Sequence, residues 1–236
     1  MSLVIHKAEE RGKAHHGWLE SRFSFSFASW HDPERMGFGA LRVLNDDIIS
    51  PNSGFGMHPH KNMEIITIVT EGEVTHEDSL GNKSVLDSSK VQAMSAGKGV
   101  VHSEFNLGEK PLALFQMWIT PKSLDIVSRY GEKVFPQSGR KNKFQLLASP
   151  DGREASLPIH QDSFLSRSEM EEGREISYSL FECGNGVYIF VISGEIIVKK
   201  TNLKSRDAVG ISGLPEVLIS AAKNSDFLIT EVPIGE

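Results

Sequence analysis

Cysteine is almost missing from this chain, with Cys183 the single one in 236 residues. That excludes an internal disulfide and a thiolate-rich zinc site, and it suits a reducing compartment. Cys183 itself reads as a small, buried strand residue. Basic charge is also in short supply: 25 Lys and Arg face 31 Asp and Glu, for a net charge of −6, and no basic run reaches five residues. Without a basic footprint, nucleic acid is not an expected partner. No apolar run approaches the roughly 18–20 residues of a membrane span. The start, Met1-Ser-Leu-Val-Ile-His-Lys-Ala-Glu-Glu10, has no apolar core and carries acids early. No signal peptide is expected, and the expected location is the cytoplasm. Helical periodicity is scarce too, with only Leu124–Glu132 and Ser166–Glu172 as short helical candidates.

What fills the chain is strand pattern. Phe23-Ser-Phe-Ser-Phe27 alternates strictly, and Ile65-Ile-Thr-Ile-Val69 and Leu112-Ala-Leu-Phe-Gln-Met-Trp-Ile119 are apolar runs, the latter fit for the centre of a sheet. Leu41–Leu44 and Ile48-Ile49 read as strand pieces on either side of an Asn45-Asp46-Asp47 turn. Strands every eight to twelve residues with turns between them indicate an all-β barrel or sandwich.

The second half echoes the first. Val187-Tyr-Ile-Phe-Val191 before Ser193-Gly194-Glu195 matches Ile65–Val69 before Glu71-Gly72-Glu73, and Phe227–Pro233 resembles Phe115–Pro121. Two copies of one β-fold are expected, divided where Gly131, Pro136 and Gly139 cluster, as residues 1–135 and 136–236. At a constant offset His58, His60, His102 and Glu104 fall on Leu180, Glu182, Asn224 and Asp226. His160 is the only histidine after His102, so the second copy cannot build the same imidazole cluster.

The chemistry concentrates in two short segments. His58-Pro-His60 lies just ahead of the Ile65–Val69 run, and His102-Ser-Glu104 lies 44 positions beyond His58. Residues i and i+2 of an extended segment share a face, so each pair can aim two donors at one point. Either pair alone is weak among nine histidines. Together, flanked by Gly54, Gly56, Gly97 and Gly99, they make a site of three imidazoles and one carboxylate. Pro59 cannot donate to a ladder and fits a strand start or a bulge. Glu64 shares the parity of His58 and His60, so it competes with Glu104 for the role of carboxylate ligand. His76 could support a ligand or stand exposed on a strand.

The combined pattern Gly-Phe-x-x-His58-Pro-His60-x-x-x-Glu64, Glu71-Gly72-Glu73-Val-x-His76-x-Asp78-Ser79-x-Gly81 and Ala96-Gly97-x-Gly99-x-Val101-His102-Ser103-Glu104 resembles the pirin family. The resemblance implies an all-β fold of two stacked cupin barrels (double-stranded β-helix, or jelly-roll), with metal only in the N-terminal one. It implies His58, His60, His102 and Glu104 as the ligands and leaves Glu64 as a supporting residue. Such a donor set suits one divalent transition metal, with Fe2+ favoured over Ni2+, Cu2+, Zn2+ or Mn2+. By the same resemblance the expected activity is quercetin 2,3-dioxygenase-like cleavage of a flavonol with O2, with Glu104 as the catalytic base. The alternative it implies is a redox-sensing regulator that binds a protein partner. A monomer is expected, because paired barrels cover each other.

Overall fold

The computed structural model describes residues 1–235, and strand alternation governs nearly all of them. In the first half a seven-stranded sheet runs in the order Arg129–Val134, Lys90–Ser95, Glu64–Glu71, Leu112–Ile119, Leu41–Ile49, Leu19–Phe23, Gly12–His15. It faces a four-stranded sheet in the order Ser53–His60, Val100–Asn106, Glu73–Asp78, Lys83–Asp87. The second half repeats both layers. Its seven-stranded sheet is Ser2–His6, Ala208–Ser212, Asn185–Ser193, Ser225–Pro233, Phe164–Met170, Gln145–Ser149, Leu157–Pro158. Its four-stranded sheet is Glu175–Ser179, Glu216–Ala221, Glu195–Val198, Thr201–Lys204. The apolar run at Leu112–Ile119 takes the middle place in its sheet, and Ser225–Pro233 takes the matching place in the other.

Both faces of the large sheets are buried, and the alternation divides the work. From Leu41–Ile49, Glu64–Glu71 and Leu112–Ile119, the residues Leu44, Ile66, Ile68, Phe115 and Met117 face the other barrel. They meet Leu147, Leu165, Tyr188, Phe190 and Leu228 in one shared core. Phe115 and Phe190 pack edge to face at 5.4 Å, a geometry that adds about 0.5–1.5 kcal/mol beyond the area buried. Asp46 bridges the halves, accepting from Arg11 at 3.1 Å and Arg206 at 2.8 Å. The opposite face of the same strands looks into the first barrel.

The strand Ser2–His6 pairs with Ala208–Ser212, so the start of the chain completes the second barrel's sheet. His6 is buried there, bonded to the Tyr188 hydroxyl at 2.9 Å. Burial, helped by Arg35, lowers its pKa from 6.5 to about 4. As pH falls below 6.5 the unfolded chain takes a proton that the folded chain refuses until about pH 4. The stability His6 contributes is therefore complete above pH 6.5 and is lost towards pH 4, by up to about 3 kcal/mol. Urea unfolding of wild type and His6→Gln at pH 7 and pH 4 measures it: the variant is expected to lose less stability between the two, by about that amount.

Several local expectations fail. Ser166–Glu172 is not helical: Phe164–Met170 is a strand paired with Ser225–Pro233. Nor is Leu124–Glu132, where a loop leads into the strand Arg129–Val134; long-range pairing outweighs weak local helical pattern. The Phe23–Phe27 alternation ends as a strand at Phe23. Cys183 is exposed rather than buried, because it falls in the turn after Glu182.

Candidate metal centre

His58 and His60 stand on Ser53–His60, an edge strand, which is why Pro59 is tolerated between them. The neighbouring strand Val100–Asn106 sets His102 directly opposite His58. The next inward residue, Glu104, pairs with Phe55, two residues on against three, so the bulge lies on the edge strand and Val100–Asn106 keeps its alternation. The loop before this strand turns at Gly97, whose φ of +47° and close approach to the Ile126 carbonyl exclude a side chain.

The three rings converge. Their centroids lie 4.4 Å apart for His58 and His102, and 4.9 Å for each of the other two pairs. One ring nitrogen from each falls within 4.8 Å of the others. Glu104 enters through a second such group, with His76 and His102. The two groups share His102: His58 and His60 stand with it in one, His76 and Glu104 in the other.

Hydrogen bonds settle which nitrogens are free. His58 donates from Nδ1 to the Gly56 carbonyl at 2.8 Å, leaving its Nε2 lone pair. His76 Nε2 donates to Asp78 Oδ2 at 3.1 Å, so its Nδ1 can accept from His102 Nδ1 at a long 3.5 Å. That leaves His102 Nε2 unprotonated, and it is buried without a partner among the described residues, as is Nε2 of His60. Buried lone pairs with nothing to accept from are costly, and a cation answers them. Burial, with His58 adjacent, lowers His60 to about 4. Burial and the facing imidazoles His58, His60 and His76 lower His102 to about 3. Neutral imidazoles with aimed lone pairs are the ligand form. Burial pushes the Glu104 carboxyl up, while Gln116 (Nε2 to Oε2, 2.7 Å) and Thr67 (3.4 Å) hold it in place. The donor set fits one transition-metal ion.

His76 is fully buried, not an exposed strand position, and it stacks on Tyr130 at 4.9 Å. Burial opposes ionisation of Asp78, but bonds from Asn82 and His76 outweigh it and hold the carboxyl below its ordinary value. The Asp78–His76 pair thereby fixes the tautomer of His102. In a His76→Phe protein we expect metal affinity to fall about 10- to 100-fold, read by competition with a chelator.

Glu64 does not face the cluster. The segment Lys61–Met63 interrupts the strand, and Glu64 starts a different sheet with its side chain turned towards the second barrel. There its carboxylate accepts from Ser95 Oγ at 2.7 Å and from the His160 backbone N–H at 2.9 Å. Parity counted across Lys61–Met63 had no meaning.

Nor does a constant offset locate the matching positions in the second barrel. His76 and Glu104 are ladder partners, and their counterparts are Val198 and Ile219. Two residues earlier Val217 stands for His102, paired with Tyr178. All four are buried in that barrel's apolar core, so the copy is packed where the first is open.

Beside the imidazoles a cavity of about 630 Å³ opens between the sheets, walled by Trp18, Phe23, Phe27, Phe55 and Trp118. Gln116, Asn45, Asp47 and His16 also reach it, and none of them was among the expected site residues. A lone Gln inside the apolar run Leu112–Ile119 was the available signal for Gln116. Asn45-Asp46-Asp47 is no turn: the strand Leu41–Ile49 is continuous through it.

Residues 4–119 match the family model described as Pirin, and residues 146–232 match the one described as Quercetinase C-terminal cupin domain. The chain is 40% identical over 232 residues to a quercetin 2,3-dioxygenase of Escherichia coli strain K12, covering 98% of this chain and 99% of that one. It is 41% identical over 224 residues to a pirin-like protein of Caulobacter vibrioides, covering 94% and 96%. The crystal structure of the Escherichia coli bacterial pirin YhhW in complex with nickel(II) superposes with a TM-score of 0.94 at 40% identity, covering 99% and 100%.

Proposed function

Because this chain belongs to the pirin family, we propose that it is a metal-dependent dioxygenase that cleaves a flavonol such as quercetin with O2, releasing carbon monoxide and a depside. The observation that carries the reading is the meeting of three lone-pair-bearing imidazoles with an aromatic-walled cavity wide enough for a three-ring substrate. In this reading His58, His60, His102 and Glu104 hold one ion, Fe2+ for preference, although Ni2+, Cu2+, Zn2+ and Mn2+ suit the same donors. Residues 1–135 carry the site, whose cavity is lined wholly from Ala14 to Trp118, and 136–236 make most of the second barrel.

The ion, when bound, acidifies the flavonol 3-hydroxyl and supplies the electronic coupling to O2. Everything else falls to the chain. Glu104 accepts the hydroxyl proton, oriented by Gln116 and Thr67. Trp118 Nε1 donates to Gln116 Oε1 at 3.0 Å, fixing the amide so that its N–H points at the carboxylate. Phe23, Phe27, Phe55 and Trp18 hold the flat substrate and exclude water, which strengthens each polar contact inside.

Elemental analysis of protein purified without chelators, followed by an oxygen electrode over a small panel of flavonols, tests the proposal. Expected are one ion per chain and O2 consumption matched by loss of flavonol absorbance. Metal-loaded protein that consumes neither would overturn it.

A further inference from the structure

The wall of the cavity contributed by Leu41–Ile49 carries acceptors that the metal chemistry leaves unused. Asn45 and Asp47 are i and i+2 on that strand, share its inward face, and are only 3% and 4% exposed. Ser21, opposite Asp47 in the ladder, donates its hydroxyl to Asp47 Oδ1 at 2.5 Å. Asp47 Oδ2 has no protein partner among the described residues, and Asn45 Oδ1 is buried with none. Burial raises the Asp47 carboxyl to about 7, with Asp46 and Glu104 adding to the effect and Ser21 opposing it. A buried acid with one short bond and one bare oxygen costs stability. Its use is in binding.

We propose that Asn45 and Asp47, the latter held by Ser21, form a second polar subsite that accepts hydrogen bonds from two adjacent ring hydroxyls of the substrate. The site then selects a flavonol bearing a catechol ring over one without it. Alternate residues of a strand stand roughly 7 Å apart. Two neighbouring phenolic hydroxyls with a bond of about 2.7 Å at each end span that interval. Two acceptors call for two donors, and a single hydroxyl leaves one acceptor bare. The subsite rests on the dioxygenase reading of the same cavity, since it presumes a flavonol as occupant.

The test is a binding titration of the full chain loaded with Zn2+, without turnover, using 3-hydroxyflavone and its 3′,4′-dihydroxy derivative. Wild type is expected to bind the catechol compound about 10- to 100-fold more tightly. In Asp47→Leu that ratio is expected to fall to within about threefold, because leucine removes the oxygen that no protein group occupies and leaves Asn45 alone. Ser21→Ala, which frees the carboxyl, is expected to lower the ratio too and serves if Asp47→Leu does not fold. Equal binding of both compounds by wild type, or an unchanged ratio in the variants, overturns the subsite and leaves the dioxygenase reading standing. Failure of wild type to bind either compound overturns both.

Discussion

A His102→Ala protein is expected to lose its metal and, with it, all flavonol-dependent O2 uptake. On the scale of four-ligand structural zinc sites, which bind with an apparent free energy of about 10–16 kcal/mol, one ligand stands for about 3 kcal/mol, or about 100-fold in affinity. His102 should exceed that average. It is fully buried on a strand paired on both sides, at the junction of the two donor groups, and its tautomer is imposed by His76 and Asp78. His58 and His60 are half-buried on an edge strand and less preorganised, so alanine there is expected to cost less. Chelator competition ranks the three. A His102→Ala protein that keeps one tightly bound ion, with circular dichroism unchanged, would contradict the four-ligand centre.

In Glu104→Gln the expected result separates two duties. The amide keeps the shape of the carboxylate and can still accept from Gln116, but it cannot take up a proton. Loss of a positioned general base costs about 100- to 10,000-fold in rate. With metal restored to one ion per chain, kcat is expected to fall by that factor while KM changes little. If activity per bound ion stays at the wild-type level, Glu104 is a ligand and not a base. The comparison with Gln116→Leu sharpens this. That variant removes the 2.7 Å bond to Oε2 and leaves the carboxylate chemically intact, so its rate should fall by a smaller factor.

Much of the centre was legible because it is local. The i, i+2 pairs His58/His60 and His102/Glu104 needed nothing more than extended backbone to bring each pair onto one face. The duplication was legible in the Gly72 and Gly194 turns that follow two matched apolar runs, and both sheets are indeed repeated in order. Asp47 was not legible, since consecutive Asn-Asp-Asp resembles a turn until a sheet supplies Ser21 and Asp46's arginines as partners. His76 was equally hidden: only the neighbours of its strand could say whether it is covered.

By itself, then, the order of residues determined the strand-dominated class, the two copies and the donor types, because these depend on side-chain chemistry and a period of two. Tertiary structure alone decided that Glu64 serves the contact between barrels, that Val198, Val217 and Ile219 close the second barrel, and that Asn45 and Asp47 open onto the first. Which face of a strand meets water, a ligand or another sheet is set by ladder partners far away in sequence, and no local pattern carries that choice.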